Sequence, residues 1–415
     1  METQDVRIRD KPFPGVNDPA GRTLGDEEIA MLTEVIRSAR LNRGTGSKVT
    51  QLEKAFAARY GVAHCTASTS GTSAIHVALG ALELEPGDEV ITAPITDMGT
   101  VIPILLQNCV PVFADVDSRT LCLDPADLER RITPRTRAVI AVHLVGNACD
   151  MDAIMAIGRR HNLIVIEDCA QAYLTEYRGR LVGTIGDAGC FSLQQSKHIT
   201  AGDGGLTITN NPRLGERMAL FANKGWPNYG QSGRDYVMFG VNYRMTELQA
   251  AVALAQLPKL DGVVERRVAS ADAITAGIRD VPGLLPPQAP PNGRHSYWFY
   301  PLLTDPAELG MPTAELARRL RELGIPAGHG YIGKPIFLYD LLRKKQVYGH
   351  THYPWDAPGR ENLPEVRYEP GACPQTEDAL SRLIVLPCNE GFTAQDAQDI
   401  VDGIRRAVSG VSGAA

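Results

Sequence analysis

The stretch from Arg137 to Gln171 constrains the fold of this chain more than any other. It reads "RAVIAVHLVG", then "DMDAIMAIGRRHN", then "LIVIEDCAQ". The first and third segments are apolar and β-rich, and the middle one carries apolar residues at helical spacing. Strand, helix and fully apolar strand in such a short span make a βαβ crossover. Strands joined in this way lie parallel in a sheet whose two faces are covered by helices.

The flanking sequence extends that pattern. "SAIHVALGALEL" reads as a helix, "DEVITAP" and "VPVFADVD" as short strands, and "GCFSL" and "GGLTITN" as two more strands. Upstream, residues 1–23 contain "PFPGVNDPAG" and read as an irregular N-terminal arm. Helical patterning follows in "GDEEIAMLTEVIRSA" and "SKVTQLEKAFAARYG". Downstream, "MTELQAAVALAQLPKLDGVVERRVASADAITAGI" reads as one long helix, and a Pro-rich connection runs over 281–293. Beyond it lie a strand-like "SYWFYPLLT" and the helices "PTAELARRLRELG" and "TAQDAQDIVDGIRRAV". The expected fold is α/β. A large domain over 24–280 holds a mostly parallel central sheet flanked by helices, and a smaller α+β domain occupies 281–415.

Composition narrows the setting. A formal net charge of −6 gives no general attraction to nucleic acid or to an anionic membrane. No run approaches the length of a membrane span, and "METQDVRIRDKPFPG" lacks the apolar region of a signal peptide. The eight cysteines are scattered and form no CxxC pair, so neither a zinc site nor a disulfide framework is expected, and a reducing cytoplasm fits best.

The chemistry centres on "FSLQQSKHITAGDGG", residues 191–205, where Lys197 precedes a glycine pair. A phosphate-binding Walker loop needs GxxxxGK[ST], and here the lysine comes before the glycines and is followed by His198, so that motif fails. The other reading is a lysine whose amine bonds covalently to a carbonyl, which requires surroundings that lower its pKa. If the carbonyl belongs to pyridoxal phosphate, the ring nitrogen calls for a carboxylate, and the phosphate for small hydroxyls and free N–H groups at a helix start. Asp168 closes the apolar run "LIVIE", at the carboxyl end of a buried strand where ligands of open α/β sheets sit. Gln171 lies three residues on, within reach of a cofactor oxygen. In "STSGTSAIHVAL", Ser70, Gly71, Thr72 and Ser73 precede an apolar helix, which alone is also what an ordinary capped helix looks like. Ser192 adds a hydroxyl on the strand before Lys197. His143, ending "AVIAVHLVG", is either near the site or a satisfied core histidine.

Taken together, "EDCAQA", "GCFSLQQSKHITAGDGG" and "VNYRMTELQAAVAL" resemble the DegT/DnrJ/EryC1/StrS family of sugar aminotransferases, of the aspartate-aminotransferase fold type. "SGTSAIHVAL", "GDEVIT", "PVFADVD" and "VHLVGNACDMDAI" match it in the same order. The resemblance is dense over 22–270 and looser beyond. It implies pyridoxal 5'-phosphate on Lys197, cycling through pyridoxamine 5'-phosphate, with Asp168 at the ring nitrogen and Gln171 at the phenolic edge. It places Thr72, Ser73 and Ser192 at the phosphate. It also implies a homodimer with shared active sites, Asn242 reaching the partner's cofactor. In a sister group that dehydrates sugars the lysine position is a histidine; Lys197 therefore favours transamination. The family's ring-stacking aromatic falls at Asp97 or Met98, and neither is aromatic. Met98 could still pack on the ring through its sulfur, and Asp97 could hold a substrate amine or hydroxyl.

"QQSK" with "TAGDGG" is closest to family members that aminate keto-cyclitols and keto-sugars in aminoglycoside antibiotic pathways, often with glutamine as the donor and otherwise glutamate. An aminohydroxybenzoate-synthase-like dehydratase is the nearest enzymatic alternative. A non-catalytic regulator that binds the cofactor or a sugar is a third, which the intact Lys197, Asp168 and Gln171 set opposes. "GIPAGHGYIGKPIF" offers His329, Tyr331 and Lys334 for an acceptor or a donor carboxylate.

Overall fold

The computed structural model describes residues 7–9, 11–227 and 235–409. The first six residues and Asp10 of the expected arm, residues 228–234 of the large domain and the last six residues lie outside the described residues. Seven strands form the main sheet: β1 (His64–Ser68), β2 (Glu89–Thr92), β3 (Val110–Phe113), β4 (Thr136–Val142), β5 (Ile164–Asp168), β8 (Ala188–Ser192) and β9 (Gly205–Thr209). A small hairpin, β6 (Glu176–Tyr177) with β7 (Arg180–Leu181), stands apart from them. The order across the sheet is β1-β9-β8-β5-β4-β2-β3. From β8 to β3 every pairing is parallel, and β9 runs antiparallel between β8 and β1. The mostly parallel sheet read from the βαβ pattern is therefore what the chain forms.

Burial follows from the topology. β2, β3, β8 and β9 are buried at every position, as expected for strands with helices on both faces. The covering helices include α1 (Asp26–Ser38), α2 (Lys48–Tyr60), α3 (Gly71–Gly80), α4 (Met98–Leu106), α5 (Pro125–Arg130), α6 (Met151–His161) and α7 (Pro212–Phe221). β1, α4 and α7 are elements that the sequence reading did not anticipate. The expected single long helix is instead two, α8 (Glu247–Gln256) and α9 (Leu260–Ile278), joined by a 3₁₀ turn over Leu257–Lys259. Pro258 sits in that turn, where its missing N–H and fixed φ favour a local change of hydrogen-bonding pattern.

The C-terminal part builds a second, antiparallel sheet in the order β10 (Leu284–Leu285), β11 (Tyr300–Thr304), β13 (Leu383–Leu386), β12 (Gly328–His329). Helices Thr313–Glu322 and Ala394–Ser409 cover it around its own core of Leu302, Leu316, Leu320 and Ile404. Not all of this part is separate from the large sheet. Ile336, Phe337, Leu342 and Tyr368 pack with Val101, Leu105 and Phe113 at the β3 edge. Asp115, just past β3, caps helix Pro374–Arg382 by accepting from the amides of Gln375 and Thr376, both at 2.8 Å. Among the described residues, no helix is long and apolar enough to cross a membrane. All eight cysteines are free thiols.

The deepest polar joint between the two parts is Arg22–Glu390–Arg267. Glu390 lies 2.5 Å from Arg267 and 3.2 Å from Arg22, and each of the three side chains is no more than 2 % exposed. Arg267 also donates to the carbonyls of Trp298 (3.0 Å) and Cys388 (2.7 Å). Removing the single carboxylate strands two guanidinium groups away from water, so Glu390→Ala should destabilise the protein by about 3–5 kcal/mol. Denaturant unfolding of wild type and variant measures this; a change below about 1 kcal/mol would contradict the burial argument.

Candidate active site

The carboxyl ends of the parallel strands open into a cleft of about 400 Å³. Its wall includes Ser70, Gly71 and Thr72 from the start of α3, Asp97 and Thr100 from the start of α4, Asp168 at the end of β5 with Gln171 after it, and Ser192 at the end of β8 with Lys197 after it. Trp298, from the segment leading into β11, completes the wall. Residues from Asp97 to Lys197 thus converge because parallel strands end at the same edge, and Trp298 is added from the C-terminal part.

Lys197 sits on a tight turn after β8, where its N–H donates to the carbonyl of Gln194 at 2.9 Å. The same turn explains the residues before the lysine. Gln194 Oε1 accepts from the amide and the hydroxyl of Ser196 at 2.8 and 2.7 Å, and Gln195 Nε2 donates to the carbonyl of Val16 at 2.8 Å. Arg22 Nη1 donates to the Lys197 carbonyl at 2.9 Å, so the N-terminal arm grips the turn at two points. The Lys197 side chain keeps some exposure to the cleft but is densely surrounded by protein, and its Nζ lies 3.7 Å from the centroid of the Trp298 ring. Burial draws its pKa down to about 8, against the opposing pull of Asp168 and Asp97.

Asp168 is buried at the foot of the cleft. Oδ2 accepts from Thr100 Oγ1 at 2.8 Å, and Oδ1 from the amide of Ala170 at 3.1 Å. Burial still pushes its carboxyl above the usual range, the Ala170 and Thr100 donors and the Lys197 charge pulling the other way. Gln171 is held at both ends: Oε1 accepts from the Val145 amide at 2.8 Å, and Nε2 donates to the Tyr331 hydroxyl at 3.0 Å. Val145 takes φ 51°, a left-handed conformation that a β-branched residue rarely adopts. The backbone of Trp298 donates to the Val145 carbonyl at 2.8 Å, fixing this strained corner.

α3 begins with a reciprocal cap. Ser70 Oγ accepts from the Ser73 amide at 3.0 Å, and Ser73 Oγ accepts from the Ser70 amide at 2.8 Å. The amides of Gly71 and Thr72 are the ones that a helix leaves without intrahelical partners. Gly71 is a position that only glycine can fill: a Cβ there would lie 2.6 Å from the Cβ of Ser192 and 2.8 Å from its hydroxyl. The close approach brings the first turn of α3 against the end of β8.

The structure gathers Lys197, Asp168, Gln171, Gly71, Thr72, Ser192 and Asp97 around one cleft, with Tyr331 at its edge through Gln171. Other expected residues lie elsewhere. Ser73 does not line the cleft, because its hydroxyl is committed to the cap. Met98 does not line the cleft; it packs against the cluster around Phe337, and α4 starts there with Asp97 as its N-cap. His329 is exposed and bonded to the carbonyl of Ser381 at 2.9 Å, and the exposed Lys334 faces the ring of Tyr339. Asn242 is exposed, bridges to Asn223 and does not line this chain's own cleft. His143 is a satisfied core residue: Nε2 donates to Glu167 at 2.9 Å while Nδ1 accepts from the Cys149 amide at 3.1 Å. With Glu167 and Cys169 it forms the one group of metal-ligand type among the described residues, but both of its ring nitrogens are already engaged. Trp298, Thr100 and Arg22 are functional neighbours that the sequence reading missed.

Comparison with known proteins agrees with this geometry. The model of the DegT/DnrJ/EryC1/StrS aminotransferase family matches residues 22–405. The spore coat polysaccharide biosynthesis protein SpsC of Bacillus subtilis is 34% identical over 396 residues, 93% of this chain and 96% of that protein. The L-glutamine:2-deoxy-scyllo-inosose aminotransferase of Streptoalloteichus tenebrarius is 37% identical over 377 residues, 86% of this chain and 87% of that one. Among solved structures, an aminotransferase from Psychrobacter cryohalolentis superposes with a TM-score of 0.82 at 27% identity, covering 94% of this chain and 98% of its own. With a lysine, a buried carboxylate and a helix start converging on one cleft, the chain belongs to the DegT/DnrJ/EryC1/StrS aminotransferase family.

Proposed function

We propose that this chain is a pyridoxal-phosphate-dependent aminotransferase that moves an amino group from glutamine or glutamate to a keto-cyclitol or related keto-sugar, as in aminoglycoside biosynthesis. The observation that carries the reading is the pairing of two opposite perturbations in one cleft. The Lys197 amine is drawn down to about 8, and the Asp168 carboxyl is pushed up by burial. Such pairs occur where acid–base work is done.

The residues fit pyridoxal phosphate. Asp168 is buried with too little compensation, which a protonated ring nitrogen would supply. Gly71, Thr72 and Ser192 offer amides and hydroxyls to a phosphate where no larger side chain at position 71 would fit. Gln171 is oriented beside Asp168 for the phenolic edge. When bound, the cofactor supplies an electrophilic carbonyl carbon and an electron-withdrawing ring. The chain supplies the rest. Lys197 Nζ anchors the cofactor, then takes the proton from the donor's α-carbon. In the second half-reaction it gives a proton to the carbon that was the acceptor's carbonyl. Asp168 holds negative charge at the foot of the cleft, favouring a protonated partner there throughout.

A homodimer with shared sites belongs to the same reading. Asn242 is exposed and does not line its own cleft, which suits a reach into the partner's. Just upstream, Tyr236, Val237 and Phe239 are exposed, Phe239 by 77%, and a second copy would cover them. The keto-cyclitol acceptor and glutamine donor draw support from the 37% identical relative named as an L-glutamine:2-deoxy-scyllo-inosose aminotransferase. Eight free thiols suit a reducing cytoplasm.

Purified with pyridoxal phosphate, the wild type should show a visible-region absorbance band that Lys197→Ala lacks; a wild type that never takes up the cofactor would overturn the reading. Asp168→Asn should leave the fold intact while lowering kcat on the order of 10²- to 10³-fold, as steady-state kinetics would measure. A near-wild-type kcat in that variant would remove Asp168 from the mechanism. Protein loaded with pyridoxamine phosphate should gain the visible band with a keto-cyclitol, and protein loaded with pyridoxal phosphate should lose it with glutamine or glutamate. A response confined to nucleotide-linked keto-sugars would reject the cyclitol assignment.

A further inference from the structure

Trp298 stands in a position that the reaction outlined above does not yet use. The residue is only 8% exposed, and the Lys197 Nζ rests 3.7 Å from the centroid of its ring. The indole is fixed from several sides. Its Nε1 donates to the Ser196 carbonyl at 2.7 Å, its amide donates to Val145, and its carbonyl accepts from Arg267 at 3.0 Å. Arg267 pairs with Glu390, Glu390 with Arg22, and Arg22 returns to the Lys197 carbonyl at 2.9 Å. The contacts close into a loop that begins at the lysine backbone and ends at the lysine amine. Ring and amine are therefore held against each other by both ends of the same network.

We infer that Trp298 is a positioning residue whose indole face serves as the resting place of the free, protonated Lys197 amine whenever that amine is not bonded to the cofactor. An aromatic face attracts a cation and gives a neutral amine no comparable attraction, and Trp offers the strongest face of the three aromatic side chains. Lys197 thus has a defined position while it carries the proton. The charged groups facing it are Asp168 from the end of β5 and Asp97 from the start of α4. Asp203 shares the cleft wall, and the Tyr331 hydroxyl reaches it through Gln171. The carboxylates and the indole favour the charged amine while burial opposes it. The inference rests on the proposed role of Lys197 as cofactor anchor.

The sign of the effect separates this role from simple packing. Without the indole face the protonated amine loses support. The midpoint for Lys197 should fall by roughly 0.4 to 1.5 on the pH scale in Trp298→Leu. Capture of pyridoxal phosphate needs the neutral amine. The rate at which cofactor-free protein develops the visible band should therefore rise roughly two- to eightfold at pH 7. Above about pH 9 the two proteins should converge. A residue that merely props up the turn would slow capture when removed. Stopped-flow mixing of the cofactor-free full chain with pyridoxal phosphate across pH 6 to about 10 reads this directly. Trp298→Phe, which keeps a weaker face, should fall between wild type and Trp298→Leu, and it serves alone if the leucine variant does not fold. Equal midpoints in a folded variant, or slower capture at pH 7, would overturn the proposal. Failure of the wild type itself to form the band would instead overturn the cofactor reading.

Discussion

Parallel pairing of β5 with β8 is the constraint on which the site depends. In that register Asp168 stands opposite Cys190, so Ser192 projects two residues beyond the carboxylate at the same edge. The turn that follows then brings Lys197 back over it. A one-residue slip would send Asp168 to the other face of the sheet and separate carboxylate from amine. The alternation of β-strands with covering helices is thus the device that sets two charges of opposite sign at the bottom of one cleft.

Electrostatics then gives that pairing its character. Water is largely excluded, so neither charge is fully screened, and each is perturbed toward its neutral form. Direct donors to Asp168 from Thr100 and Ala170 hold its oxygens without neutralising it. The result is a carboxylate suited to a cationic partner and an amine able to give up its proton near neutral pH. Neither property belongs to the residue type; both come from depth and neighbours.

Much of this was legible in the sequence, for a physical reason. Asp168 and Lys197 each end or follow a strand, and strand ends in a parallel sheet are known to meet at one edge, so linear order alone placed them together. Ser70 to Ser73 announced a helix start, but the sequence could not say that Ser73 would spend its hydroxyl on the cap. Trp298 and Arg22 were invisible because they reach Lys197 from 101 positions downstream and 175 upstream, with no periodicity to report the contact. Met98 packs away from the cleft wall for a related reason. An aliphatic run, "MGTVIPILL", becomes α4, and its apolar side is drawn to Phe337 in a segment whose docking no local pattern encodes.

Asp115 joins the main sheet to the C-terminal part. Its carboxylate, rooted at the end of β3, holds the first turn of a helix that belongs to the C-terminal part. Further along the same part, Glu390 is clasped by arginines from the arm and from α9. Both anchors are buried, so breaking either would leave polar groups in a region with little water to compensate. The C-terminal part is therefore tied at once to the edge of the main sheet, to the arm and to α9.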